Sequence, residues 1–183
     1  MDKEIKYLEV TVMSAKDLQD VNHFHRMDPY VVVTLSGLFK QRTDVHKNGG
    51  TSPSWGKLLA FPVDEARAGL LFLLFEIKTE KTLGEAKEVG KVRVPVEELL
   101  KKKGDGKPKL MRYNVKLPSG ETQGVLEFYY KFGEELPAGF QIPPALEADH
   151  QEPPKKSGGQ RLISGLTGGL FCAGQVVDIL SDG

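Results

Sequence analysis

The feature that most restricts this chain is the period of its apolar residues. They recur at every second position, in runs too short for helices, and each run ends in a cluster of turn formers. In residues 7–13 Leu8, Val10 and Val12 fall on one side and Tyr7, Glu9, Thr11 and Met13 on the other, as in a half-buried strand. Residues 89–96 alternate again, and further short runs read as strands over 30–35 (β-branched), 39–45 (more polar), 58–63, 110–117 and 124–132. Residues 70–77, Leu-Leu-Phe-Leu-Leu-Phe-Glu-Ile, are apolar almost throughout. That length predicts a central strand covered on both faces, since a membrane-crossing helix needs about 20 such residues. The clusters between runs include Ser36-Gly37, Lys47-Asn48-Gly49-Gly50-Thr51-Ser52-Pro53-Ser54 and Pro118-Ser119-Gly120-Glu121. Residues 64–67 allow one helical turn, and 97–103 a short helix with acids first and lysines last, as the helix dipole favours. No long amphipathic helix separates strands and no repeat is visible. The fold expected is all-β: an eight-stranded antiparallel β-sandwich over residues 1–133.

Residues 134–183 differ in character. Pro137, Pro143, Pro144, Pro153 and Pro154 lie among Glu, Ala, Gln and Lys, and Gly165, Gly168, Gly169 and Gly174 interrupt the apolar residues of 162–180. This reads as a flexible, acidic, proline- and glycine-rich C-terminal tail with a few sticky side chains. Gly165 and Gly169 make one GxxxG spacing, too little to argue a membrane helix. The 25 basic and 25 acidic residues of the whole chain cancel. The first 133 residues hold 22 basic and 18 acidic and the rest 3 and 7, a body of +4 and a tail of −4. A mildly basic body suits an anionic membrane surface and lacks the dense stripe that nucleic acid asks for.

A lone cysteine, Cys172, excludes an internal disulfide and favours a reducing compartment. Met-Asp-Lys-Glu-Ile-Lys has no apolar signal core, and Asp2 stands where myristoylation needs glycine. The expected location is the cytoplasm, with peripheral attachment to the plasma membrane or an internal membrane. His23, His25, His46 and His150 make neither a metal-ligand nor a triad spacing, Cys172 lacks an activating scaffold, and no glycine loop precedes a helix. A catalytic role is therefore not expected.

One stretch ties the strands to a function. A polar loop with Asp20, Asn22, His23 and Arg26 narrows to Asp28-Pro29 and becomes the β-branched run from Tyr30 to Val33. Pro29 fixes its own φ and pushes Asp28 toward extended geometry, so an acid sits at the rim of the sheet. Residues 6–35, with Leu-x-Val-x-Val-x-x-Ala-x-x-Leu followed by Met27-Asp28-Pro29-Tyr30-Val31, resemble the start of a C2 domain, the phospholipid-binding β-sandwich of protein kinase C and synaptotagmin. Thr51-Ser52-Pro53-Ser54-Trp55 resembles the family's asparagine-proline-x-tryptophan turn, and Glu88-Val89-Gly90-Lys91-Val92 the isoleucine-glycine opening of the strand after its third loop. The Met-Asp-Pro-Tyr form and the tail are similar to the small plant cold-regulated and copine-associated C2 proteins.

The resemblance implies five acidic calcium ligands, two on the first loop and three on the third. The first pair falls on Asn22 and Asp28, with Asp20 two positions earlier. The third-loop positions fall near Thr79, Lys81 and Lys87, and Glu80, Glu85 and Glu88 lie only beside them. Ammonium groups repel a divalent ion and offer no lone pair, so Asp20, Asn22 and Asp28 read as a degenerate metal site with weak or no calcium binding. Asp28 serves equally well as a cap on local backbone amides.

Direct electrostatics is the expected substitute. Arg26, Lys78, Lys81 and Lys87, with His23 and His25, are expected at one end of the sandwich; Lys40 and Arg42 form a second basic candidate on the third strand. The alternative for that pair is a solvated edge strand guarded against pairing. Phe24 and Leu83 are the expected loop tips that dip into a bilayer. Trp55 reads as a core or loop anchor. The function so implied is non-catalytic docking on anionic phospholipid, phosphatidylserine or phosphoinositide, in plant stress or defence signalling. The alternatives are an adaptor that binds a protein partner such as a copine or a signalling enzyme, and a calcium-dependent lipid binder with a degenerate site.

Overall fold

A computed structural model describes residues 4–145. Eight strands form: β1 (Ile5–Lys16), β2 (Pro29–Leu35), β3 (Phe39–Arg42), β4 (Ser54–Asp64), β5 (Phe72–Thr79), β6 (Lys87–Pro95), β7 (Lys109–Lys116) and β8 (Thr122–Gly133). A 3-10 turn at Glu65–Leu70 and one short helix, α1 (Val96–Lys101), complete the described elements. All pairings are antiparallel, in the order β3-β2-β5-β6-β7-β8-β1-β4. Between β6 and β7 the ladder thins to a single pair, Lys91 with Lys116. The sheet thus folds there into two four-stranded leaves, which is the expected sandwich. The opposite seam is drawn together where the Gln41 amide donates to the Ala60 carbonyl (2.5 Å).

The alternation explains the core. Leu8, Val10 and Val12 of β1 are fully buried. A bulge between Val12 and Ser14 then shifts the pattern by one, so that Ala15 rather than Ser14 points inward. Val31, Val33, Leu73, Phe75, Ile77, Val92 and Val94 from one leaf meet Phe61, Val63, Leu126, Phe128 and Tyr130 from the other. Phe75 and Phe128 stack across the interface with ring centroids 4.7 Å apart.

Three local expectations are corrected. Only one face of β5 is fully covered: Leu73, Phe75 and Ile77 are buried, whereas Phe72, Leu74, Glu76 and Lys78 are half-exposed, because among the described residues no further layer packs on the outside of this leaf. β3 ends at Arg42 instead of 45, since Thr43 uses its hydroxyl as well as its N–H on Val31 and the chain turns away. The helix begins at Val96 and ends at Lys101, held by Glu97–Lys101 and Glu98–Lys102 pairs at 2.7 Å each. The tail reading, with its Gly165–Gly169 spacing, His150 and Cys172, falls largely on 146–183, outside the described residues.

Candidate functional site

Loops 17–28, 43–53 and 80–86 meet at one end of the sandwich. Leu18 N–H donates to the Thr51 carbonyl and Gly50 N–H to the Met27 carbonyl, each at 3.0 Å, joining the first two loops. Met27 and Leu18 are buried beneath them as a plug. Trp55 is the anchor expected, its indole N–H donating to the Pro29 carbonyl at 3.0 Å. The third loop is tied by Glu80 N–H to the Asp28 carbonyl (3.1 Å) and by the Lys87 ammonium to the Val21 carbonyl (2.7 Å).

Asp28 is the hub. Its N–H donates to the buried Thr79 hydroxyl (2.9 Å), and its Oδ1 accepts from Asn48 N–H (2.6 Å). Its Oδ2 lies 3.6 Å from the Lys47 ammonium, which also sits 2.6 Å from Glu80 Oε2. The hydrogen bond to Glu80 raises the Lys47 pKa above its ordinary 10.5, with burial opposing and the Glu80 and Asp28 charges assisting. Asp20 turns its carboxylate onto Asn22 N–H (2.9 Å), and the Asn22 amide reaches toward the Arg26 carbonyl (3.5 Å). Calcium asks for six to eight oxygens with balancing negative charge. Here Thr79 is a buried latch, Lys81 an exposed tip, Lys87 a strut, and the one facing carboxylate pair already holds an ammonium. The donor set does not fit the ion that the resemblance implies.

The loops also form a cleft of about 330 Å³ lined by Val21, His23, Phe24, Lys81, Leu83 and Lys87, among others. Phe24 and Leu83 project from it, 94% and 88% exposed. Arg26 and Lys78 do not join this cleft. Arg26 lies against Gly50, where an added Cβ would come within 3.2 Å of its guanidinium. Lys78 sits on the outer face of β5, 3.7 Å from Glu76 and in register with Tyr30. Over 17–28, 43–53 and 80–87 there are four basic and six acidic side chains, so the crown as a whole is not positive.

The positive charge lies on the outer face of the leaf β3-β2-β5-β6. In register across it run Arg42, Val32, Glu76, Lys91 and, on β7, Lys116; the next row holds Lys40, Thr34, Leu74 and Arg93. With Lys78 and Glu88 the face carries six basic and two acidic side chains, a balance of +4. Arg42 lies over the Tyr30 ring (5.5 Å) and Arg93 over Phe72 (3.9 Å), which leaves flat guanidinium planes on an apolar floor. Lys91, Arg93 and Lys116 escaped the sequence reading. Lys91 and Arg93 show in the alternation of β6, but only strand order puts them beside Lys40 and Arg42.

The sequence profile of the C2 domain matches residues 6–111. Protein SRC2 homolog of Arabidopsis thaliana is 40% identical over 140 residues, covering 74% of this chain and 43% of that protein. Protein SRC2 of Glycine max is 40% identical over 160 residues, 84% and 55% respectively. The chain thus spans about half the length of the curated relatives it matches. Among solved structures, a C2 domain of plant Extended Synaptotagmin 1 superposes with a TM-score of 0.60 at 20% identity, over 71% of this chain and 95% of that one. The profile takes in strands from both leaves and all three crown loops, and on that ground the chain belongs to the C2 domain family.

Proposed function

We propose that this chain docks on anionic membrane surfaces through the outer face of β3-β2-β5-β6, with Phe24 and Leu83 entering the bilayer, and that docking needs little or no calcium. The observation that carries the reading is the +4 face, in which Lys40, Arg42, Lys78, Lys91, Arg93 and Lys116 converge around two acids. Each basic residue near an anionic leaflet contributes about 1 kcal/mol, so the face supplies useful but salt-sensitive attraction. Arg26, Lys81 and Lys87 add to it at the crown. The lipid is phosphatidylserine or a phosphoinositide, attachment is peripheral, and the setting is the plant stress or defence signalling implied by the resemblance. No described helix is long and apolar enough to cross a membrane.

The test is vesicle co-sedimentation with and without phosphatidylserine, in calcium and in chelator, at low and high salt. Binding should require the anionic lipid, ignore calcium and fade with salt; a Lys40→Gln/Arg42→Gln/Lys91→Gln variant should lose most of it. Loss instead on Arg26→Gln/Lys81→Gln/Lys87→Gln, with the face variant unaffected, would move the contact to the crown. Binding that appears only with calcium would overturn the reading.

A specific observation also favours the adaptor reading. At the opposite end Ile5, Leu35, Leu38, Phe39, Pro62 and Leu71 line an apolar groove of about 260 Å³, and nearby Leu70 is 81% exposed. Such a patch suits a protein partner. A chain that sediments with no vesicle yet is captured through this groove, and is released by Leu38→Ser/Leu70→Ser, would be the adaptor.

A further inference from the structure

A lysine stands at the point where the three crown loops meet, and nothing in the membrane reading requires it there. Lys47 projects from the second loop between the Asp28 carboxylate of the first (3.6 Å) and the Glu80 carboxylate at the start of the third (2.6 Å). The backbone is shaped to bring it there. Asn48 adopts φ 55° and Gly50 φ 60°, conformations that asparagine and glycine accept readily. The same turn aims Asn48 N–H at Asp28 Oδ1.

Two carboxylates drawn toward one point repel each other unless a positive charge lies between them. In a metal-assembled loop cluster the ion supplies that charge and takes oxygens from several loops at once. Here one ammonium supplies it, covalently attached to the loop opposite the two acids. A tethered charge needs no free ion and loses only side-chain entropy on binding. An incoming divalent ion would have to displace it and face an ammonium that offers no lone pair. Among the described residues no three His, Cys, Asp or Glu side chains converge as metal ligands, so two carboxylates are what an ion would find.

We propose that Lys47 is a built-in counter-ion: it holds Asp28 and Glu80 together in the place of a divalent cation, so that the three crown loops are assembled without metal. The proposal deepens the metal-independence of the docking reading, but its test uses no lipid. A chain that ignored every vesicle would sink that reading and leave this one standing.

The experiment compares the full chain with its Lys47→Met and Lys47→Arg variants, by hydrogen exchange at the Asn48 and Glu80 amides. Exchange is followed in chelator and again with about 1 mM calcium, within the range of weak extracellular-type sites. In chelator Lys47→Met should exchange about tenfold faster at both amides, as local opening becomes easier, while Lys47→Arg keeps the native protection. Calcium should leave the native chain unchanged, because Lys47 already occupies the carboxylate pair. Native protection of both amides in the chelated Met variant, or added protection of the native chain by calcium, would overturn the proposal. A melting curve guards against global unfolding: a shift confined to these two amides at an unaltered midpoint is the supporting form of the result.

Discussion

Replacing both loop tips, Phe24→Ser with Leu83→Ser, separates insertion from attraction. The two side chains are 94% and 88% exposed, so their removal leaves the core as it is. Taking a Phe or Leu fully out of water is worth about 1.5–3 kcal/mol each, and an interfacial position recovers the lower part of that range. Together the tips contribute roughly 3 kcal/mol, which is about a hundredfold in vesicle affinity. The basic face contributes on a similar scale, about 1 kcal/mol for each residue at the leaflet, but that part is screened once the Debye length falls below about 8 Å. The two terms therefore respond differently to salt. The assay is a titration with phosphatidylserine vesicles at about 0.1 M and 0.3 M salt, bracketing the physiological screening length. Affinity of the native chain should fall between the two conditions. The ratio of native to double variant should stay near a hundred in both, because burial of apolar surface does not screen. Both side chains line one cleft, so the single variants should couple rather than add. A double variant that binds within threefold of the native chain at both salts, with the same melting midpoint, would refute insertion.

Three further outcomes follow from the fold. Gly90→Ala should destabilise by about 1–3 kcal/mol in urea unfolding, because its Cβ would lie 2.5 Å from Val115 Cγ1 and 2.9 Å from the Lys116 carbonyl, at the single pair that joins the leaves. Thr79→Val keeps the buried volume but strands the Asp28 N–H; a loss of about 1–3 kcal/mol is expected, with a drop of several degrees in melting temperature. The Lys102 hydrogen bond, assisted by the one from Tyr113, lowers the Glu98 carboxyl below its ordinary 4.5 against the pull of burial. A lowered carboxyl stabilises the fold fully above 4.5 and loses that contribution as pH falls through the folded value, so Glu98→Gln should lower stability at neutral pH, converge with the native chain in acid and thereby flatten the acid limb. An acid limb as steep as that of the native chain would exclude Glu98 as a cause.

Much of the architecture was legible because antiparallel leaves with one packed face print their burial directly as period two. β1, β6 and β8 show it, as do the turn residues at 118–121, where Gly120 takes φ 93° and Leu117 N–H closes on the Glu121 carbonyl (2.8 Å). Reading β5 as covered twice failed for a chemical reason. Phe72 and Leu74 look like core residues, yet they form the floor of an outward face, where Arg93 lies over Phe72. The candidate site was legible only in part. Asp28 stood out from Pro29 beside it. Lys47 did not, because inside a run of turn formers a lysine looks like one more solvated charge, and only the meeting of three loops gives it two partners. Of the face patch only Lys40 and Arg42, same-face neighbours on β3, were legible: residues 78, 91, 93 and 116 are scattered along the chain and come beside them through strand order alone.

On the docking reading proposed above, that strand order also divides the work. The expectation of a basic crown put attraction and insertion at the same point, which would have set lysines against the loss of hydration that insertion demands. In the structure Lys47 is committed to Asp28 and Glu80, and Lys87 to the Val21 carbonyl. Of the crown amines, Lys81 is left at the edge of the cleft from which Phe24 and Leu83 protrude. On the proposed reading attraction falls to the face, where Arg42 and Lys78 flank Tyr30 near the loop end and Lys40 and Arg93 lie further from it. A negatively charged plane that satisfies both surfaces must meet the domain obliquely, along the edge between the crown and the β3-β2-β5-β6 face. Spin labels at Leu83 and Arg42 should then both report bilayer contact, whereas a label at Tyr129, on the other leaf, should remain in water. Equal immersion of Leu83 and Tyr129 with Arg42 in solvent would mean an upright domain, and the attraction assigned here to the face would have to come from the crown after all.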